Sequence, residues 1–412
     1  MGRQWFKLKL TILLIYTSIY IICPAHAQKF EFERKKKSES ISFTEIKNLV
    51  VIPVYVNNKG PYNFLLDTGV GHMIITDTTF LAGLNLSQYQ TVKVQGYGLG
   101  EGIEAIVTRD MNASVGIARI KNIPTAIFKS DVFDLSAYLG MKIHGILGYY
   151  FFNSFVVKIN YGTNRLTYYD PGLKKKRKGL MIPIRMSNGK PYITAEVELS
   201  SLPNTQIELL VDNGSSHPLM LESLNSLPFP VPQINIPANL GVGINGEIKG
   251  VMGRINTLKI KDLEFGQVLT GFPEYNKDRA TIEGKSRNGS LGAELLKNFL
   301  VTFDYQNRAM YLKKRNHIRY KFEHDMSGME IYVHQEKTDR FYVGRIEPGS
   351  PSEDAGILAG DEILSVNFKN MNQYTLDGLT ELLRERDGQQ MLIEVQRRNE
   401  RVITVIRLKK RI

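Results

Sequence analysis

The chain has a single cysteine in 412 residues, Cys23, within a largely apolar stretch near the N-terminus. Arg3, Lys7 and Lys9 precede that stretch (residues 10–23), and Ala25-His26-Ala27 follows it. A basic head, an apolar middle and small residues at a cleavage site read as a signal peptide over 1–27. Fourteen apolar residues fall short of the ~20 that span a bilayer, so no stable transmembrane anchor is expected. Ile22 stands where a lipoprotein signal needs a small residue, which excludes Cys23 as a lipid anchor. Cleavage then removes the cysteine, and with it any disulfide, thiol nucleophile or cysteine metal site. The seven histidines are scattered singly, so no metal-ligand cluster and no cofactor are expected. No Gly-x-Ser-x-Gly occurs, which leaves a serine hydrolase without support. The glycine-rich stretch Gly96-Tyr97-Gly98-Leu99-Gly100 is followed by no helix-forming run, so it is no phosphate loop.

The formal charge of +12 raises the question of nucleic acid. The densest basic run, Lys174-Lys175-Lys176-Arg177-Lys178, has no interleaved aromatics and lies between strand-like segments. It reads as a solvated connector, and no nucleic-acid partner is expected. Residues 28–45 are charged at first and poor in apolar side chains, which suggests a loose leader. From there to Lys314 short runs of Val, Ile, Tyr and Phe, broken by Gly, Asn and Pro, predict an all-β body.

That body repeats itself. Tyr62-Asn63-Phe64-Leu65-Leu66-Asp67-Thr68-Gly69 is answered by Glu208-Leu209-Leu210-Val211-Asp212-Asn213-Gly214. Gly96-Tyr97-Gly98 and Gly241-Val242-Gly243 each begin 29 residues past their aspartates at 67 and 212. Gly145-Ile146-Leu147-Gly148 is matched by Gly289-Ser290-Leu291-Gly292, and matched strand segments open at Phe155 and Phe299. Landmarks kept in register through both halves indicate an internal duplication.

An apolar run ending in Asp-x-Gly suits one chemistry well. Two carboxylates held close cannot both ionise, so one acts as acid and the other as base on an attacking water. Glycine beside each aspartate lets backbone pack closely under the pair. These motifs resemble the pepsin/retropepsin family of aspartic proteases over residues 46–172 and 179–316. The resemblance implies two β-barrel lobes that bring Asp67 and Asp212 to a shared cleft as the catalytic pair. It implies braces at Thr68, Gly69, Asn213 and Gly214, and flaps at Gly96, Tyr97, Gly98, Gly241 and Gly243. Both halves are present in one chain, so no homodimer is required. Asn213 departs from the Thr or Ser usual in the family. Its amide has a donor and an acceptor with which to replace the hydroxyl. The departure keeps open a non-catalytic, peptide-binding scaffold of the cell envelope. His72 and His217, each five residues past an aspartate, are expected to be symmetric structural residues of the cleft wall.

After residue 316 the texture changes. Gly349-Ser350-Pro351 through Ala355-Gly356, then Gly360-Asp361-Glu362-Ile363-Leu364, resembles a PDZ domain of the kind joined to exported bacterial proteases, over 323–410. The resemblance implies an α+β module whose loop Ser327-Gly328-Met329-Glu330-Ile331 offers N–H groups to a peptide's terminal carboxylate. Between strands, residues 375–386 show helical periodicity with Leu376, Leu379, Leu382 and Leu383 on one face. The expected whole is an exported aspartic endopeptidase acting on polypeptide, its PDZ domain binding peptide termini for substrate capture or regulation.

Overall fold

Strands dominate wherever branched and aromatic residues alternate, and their order builds two similar lobes. The computed structural model describes residues 28–33, 35–81, 86–94, 102–131, 134–244, 246–275, 287–315, 320–334 and 339–412. The signal-peptide segment and the hairpin tip carrying Gly96, Tyr97 and Gly98 lie outside them. Among the described residues, no helix is long and apolar enough to cross a membrane.

In the N-lobe, Leu49–Val56 and Lys59–Leu66 form a hairpin in which Ile52 faces Phe64. The short strand Gly145–Leu147 runs parallel to the second strand and antiparallel to Met73–Ile75. The C-lobe repeats the arrangement. Lys190–Leu199 pairs with Leu202–Asp212, and Gly289–Gly292 lies parallel to the latter and antiparallel to Leu219–Leu221. Each inserted strand is followed by a short helix, Tyr149–Ser154 or Ala293–Leu296.

A six-stranded antiparallel sheet joins the lobes. At its centre Val156–Asn160 pairs with Phe299–Asp304, and Lys158 faces Thr302. Those two residues each stand three places past the matched Phe155 and Phe299. Equivalent residues therefore oppose one another, as an antiparallel pair lying on a two-fold axis requires. One hydrophobic core runs unbroken through both lobes, with Phe64, Phe151, Phe152, Phe299 and Phe303 fully buried.

Residues 28–45 are not a loose leader. Phe30 is buried against the Phe151 ring, and Ser38–Ser42 pairs with Arg165–Tyr169 at the edge of the joining sheet. Their polar composition misleads because an edge strand exposes every other residue to solvent. The basic connector is also partly anchored: Arg177 makes two hydrogen bonds, 2.9 and 2.8 Å long, to the buried Asp304.

The C-terminal module has its own core and a sheet ordered Met329–Val333, Phe341–Ile346, Glu362–Val366, Gln390–Arg397, Glu400–Arg407. Thr375 caps the helix Leu376–Leu382 through Gly378 N–H. Leu376, Leu379 and Leu383 are its buried face.

Candidate functional site between the lobes

Each aspartate stands at the end of a strand flanked by the inserted parallel strand. Asp67 N–H donates to Leu147 O at 2.9 Å, and Asp212 lies opposite Gly292. The chain then turns, and the turn is what joins the halves. Thr68 Oγ1 donates to Val211 O (2.7 Å) and accepts Asn213 N–H (3.1 Å). Asn213 Nδ2 donates to Leu66 O (2.9 Å), and its Oδ1 accepts Thr68 N–H (2.8 Å). Each side chain thus reaches the carbonyl just before the other lobe's aspartate. Both residues are fully buried. The amide of Asn213 supplies the donor and acceptor that a hydroxyl would, so the odd residue closes the brace.

The two carboxyl groups lie close enough to influence each other directly. Gly69 N–H donates to Asp67 Oδ1 (2.6 Å) and Gly214 N–H to Asp212 Oδ1 (3.1 Å). A side chain at Gly214 would place its Cβ 2.2 Å from Asp67 Cγ, and one at Gly69 would sit 3.1 Å from Asp212 Oδ1. Only glycine lets the opposite aspartate approach so closely. Burial pushes both carboxyls above the usual range. The charge of Asp212 raises Asp67 further, to well above its ordinary value, whereas the Arg287 guanidinium restrains Asp212. Burial and the nearness of two like charges disfavour ionising both carboxyls at once.

A cavity of about 220 Å³ opens on the pair, lined by Leu49, Leu65, Met220, Leu240, Val242 and Ile248. Gly241 and Gly243, at the end of the hairpin strand Asn235–Gly243, border it. His217 supports that hairpin, its Nε2 lying 3.0 Å from Leu240 O, while His72 is exposed and plays no matching part. The expected symmetry of the two histidines does not hold.

Of three further cleft residues, Arg287 and Tyr138 carried no signal in the sequence, and Glu330 was expected only in the peptide loop of the C-terminal module. Arg287 pairs with Glu222 at 2.5 Å and borders the cavity. Tyr138, from the helix Leu135–Leu139, and Glu330, from the C-terminal module, border it as well. They are brought in by tertiary packing and belong to no repeat.

In the C-terminal module the loop at Ser327-Gly328-Met329 does not hold its N–H groups open. Ser327 and Gly328 N–H donate to Asp325 Oδ1 (2.9 and 2.8 Å), and Met329 N–H donates to Ser327 Oγ (3.0 Å). An internal carboxylate occupies the place expected for a peptide terminus. The sequence hid this because Asp325 lies ahead of the motif. Ile331 lies in the edge strand, its carbonyl facing Lys47.

Comparison with known proteins agrees with this division. Residues 52–151 match the aspartyl protease family model, and residues 342–397 match the PDZ domain model. The mouse (Mus musculus) Na(+)/H(+) exchange regulatory cofactor NHE-RF2 is 34% identical over 71 residues, 17% of this chain. The chain spans about a fifth (21%) of that relative's length. A solved aspartic proteinase from Irpex lacteus covers 68% of this chain and 98% of its own at 13% identity, with a TM-score of 0.44. A photosystem II D1 C-terminal processing protease covers 20% of this chain and 22% of its own at 23% identity, with a TM-score of 0.19. Residues 52–151 therefore carry an aspartyl-protease-like domain and residues 342–397 a PDZ domain.

Proposed function

We propose that this chain is an exported aspartic endopeptidase in which Asp67 and Asp212 activate a water for peptide hydrolysis, in a body formed by internal duplication. The observation that carries the reading is the reciprocal Thr68–Asn213 brace beneath two buried carboxyls that approach the same glycine. A scaffold relieved of catalysis has no need to keep a buried acid pair, which costs stability whenever it ionises.

The chemistry follows from the unequal pair. Asp212, the more ionised, takes a proton from water as its oxygen bonds to the peptide carbonyl carbon. Asp67 gives its proton to the carbonyl oxygen, leaving a neutral gem-diol. In collapse the C–N bond breaks, Asp212 protonates the leaving nitrogen, and Asp67 recovers a proton from a diol hydroxyl. The starting state is restored, and no other group is required. The brace contributes by fixing both carboxyls in one geometry, so little reorganisation accompanies the reaction. Polypeptide is the substrate class that the apolar cavity beside the pair favours. The PDZ domain is the peptide-binding part, by strand addition at Met329–Val333.

The test is turnover of an unfolded polypeptide between about pH 3 and 7. Asp67→Asn and Asp212→Asn should each lower the rate by roughly 10²–10⁴-fold with the fold intact. An Asp212→Asn enzyme at full rate, or a folded wild type that cleaves nothing, would sink the reading.

A further inference from the structure

Among the described residues, the edge strand Met329–Val333 of the PDZ domain has a sheet neighbour on one side only, and the helix Leu376–Leu382 packs beside it. The groove between them is where a peptide strand would add. The chain's own N-lobe already lies there. Helix Leu135–Leu139 packs on the strand. Its capping residue Gly140, at φ +66°, is so close that a Cβ would sit 3.0 Å from Val333 Cγ2 and 3.5 Å from Leu376 Cδ2. The adjoining N-lobe turn inserts Lys47. Its N–H donates to Asp377 Oδ1 (3.0 Å), its Nζ reaches Ile331 O (3.5 Å), and its ammonium lies 3.7 Å above the Tyr138 ring.

The same strand reaches the cleft. Glu330 Oε2 accepts Asn239 Nδ2–H (3.1 Å), and Asn239 Oδ1 accepts Gly241 N–H (3.1 Å). That chain of bonds ends in the hairpin bordering the two aspartates. Tyr138 borders both the dyad cavity and the chamber under the PDZ domain, its hydroxyl 3.3 Å from Ser216 Oγ. The dyad cavity measures about 220 Å³, below the roughly 300–1,000 Å³ that holds even a small ligand.

We infer that the peptide groove of the PDZ domain is an internal seat for the N-lobe, and that this seating holds the cleft closed through Glu330, Asn239 and Tyr138. Opening requires the groove to let go of Lys47 and the Leu135–Gly140 segment. Regulation is then built into the same edge that binds peptide, which rests on the peptidase reading only for its effect on turnover.

Two full-chain variants test the seat from the N-lobe side. Lys47→Glu places a carboxylate against Asp377, and Gly140→Phe drives a ring between Val333 and Leu376. Hydrogen exchange should rise about tenfold or more at both Met329–Val333 and Asn235–Gly243, while Gln390–Arg397 stays protected and shows the PDZ domain folded. The kcat/KM for polypeptide should rise by a similar factor. Exchange unchanged at the strand in both variants overturns the inference. So does a released strand with Asn235–Gly243 unchanged, or with a measurable kcat/KM that is unchanged or lower. If both segments loosen and no form of the protein, wild type included, shows turnover, the closure stands and the peptidase reading fails.

Discussion

The two lobes share a frame and differ in what they place around it. Strand ends, inserted parallel strands and glycine turns match on both sides, and they set where the carboxyls go. The differences set how far each carboxyl is pushed above its usual range. Two residues before the matched Gly145 and Gly289 stand Ile143 and Arg287. The first is buried among apolar side chains, and the second holds a guanidinium beside Asp212. The turn after one aspartate has Thr68 and the other Asn213, yet both reach across to equivalent carbonyls. Geometry is therefore symmetric where the repeat matches, and also where it does not. Electrostatics is not symmetric.

The sharpest way to break the geometric half of that comparison is at Asn213. Asn213→Ala leaves Leu66 C=O and Thr68 N–H buried without partners, at a cost of about 1–3 kcal/mol each. Movement of Asp212 by even a fraction of an ångström should lower kcat by roughly 10²-fold. Asn213→Thr restores a donor and acceptor and should keep both stability and kcat within a few-fold of wild type. Thermal melts and single-turnover rates separate the two. If Ala and Thr behave alike, the amide is a spacer and the brace does not position the pair.

The electrostatic half is tested by making the C-lobe resemble the N-lobe. Arg287→Met alone would strand Glu222, so Glu222→Gln accompanies it. Without the guanidinium, Asp212 rises further above the usual carboxylate range. The pair then becomes singly ionised only at higher pH, and the acid limb of the pH–rate profile moves upward. Activity should fall severalfold on the acid side and change little near neutrality. A limb that stays in place would mean that Arg287 serves Glu222 and not the pair.

The frame was legible in the sequence because the two lobes carry similar motifs in the same order. Asp67 and Asp212, Gly69 and Gly214, and the late glycine turns recur in the same order in both halves, and β patterning marks the strands between them. The interfaces between units were not legible. Lys47, Tyr138 and Glu330 meet from three parts of the chain separated by about ninety and about two hundred residues, and each alone is an ordinary polar or aromatic residue. Asp325 masks the PDZ loop from outside its motif. Ser38–Ser42 reads as disordered because its apolar content is low, and only the waiting sheet edge makes it a strand. Local pattern records what an element needs from itself, and it is silent about what a distant element supplies.

The smallest expected effect concerns a matched pair of buried tyrosines. Tyr161 and Tyr305 occupy equivalent places after the central strands, both buried, both hydroxyls without a hydrogen-bond partner among the described residues. Burial holds the Tyr305 hydroxyl well above its ordinary pKa, and the charges of Asp67, Tyr149 and Asp212 raise it further. For Tyr161 burial acts first and the nearby charge is Glu45. Phenylalanine at either site removes an unpaired polar group and should stabilise by about 1 kcal/mol, a gain of a few degrees in Tm. The two variants should separate in the pH–rate profile. Tyr305→Phe removes a dipole near the carboxyls and displaces the acid limb slightly, whereas Tyr161→Phe leaves it alone. A loss of stability in Tyr305→Phe would instead place a bridging water between that hydroxyl and the pair, and would make the C-lobe the side that hydrates the site as well as the side that charges it.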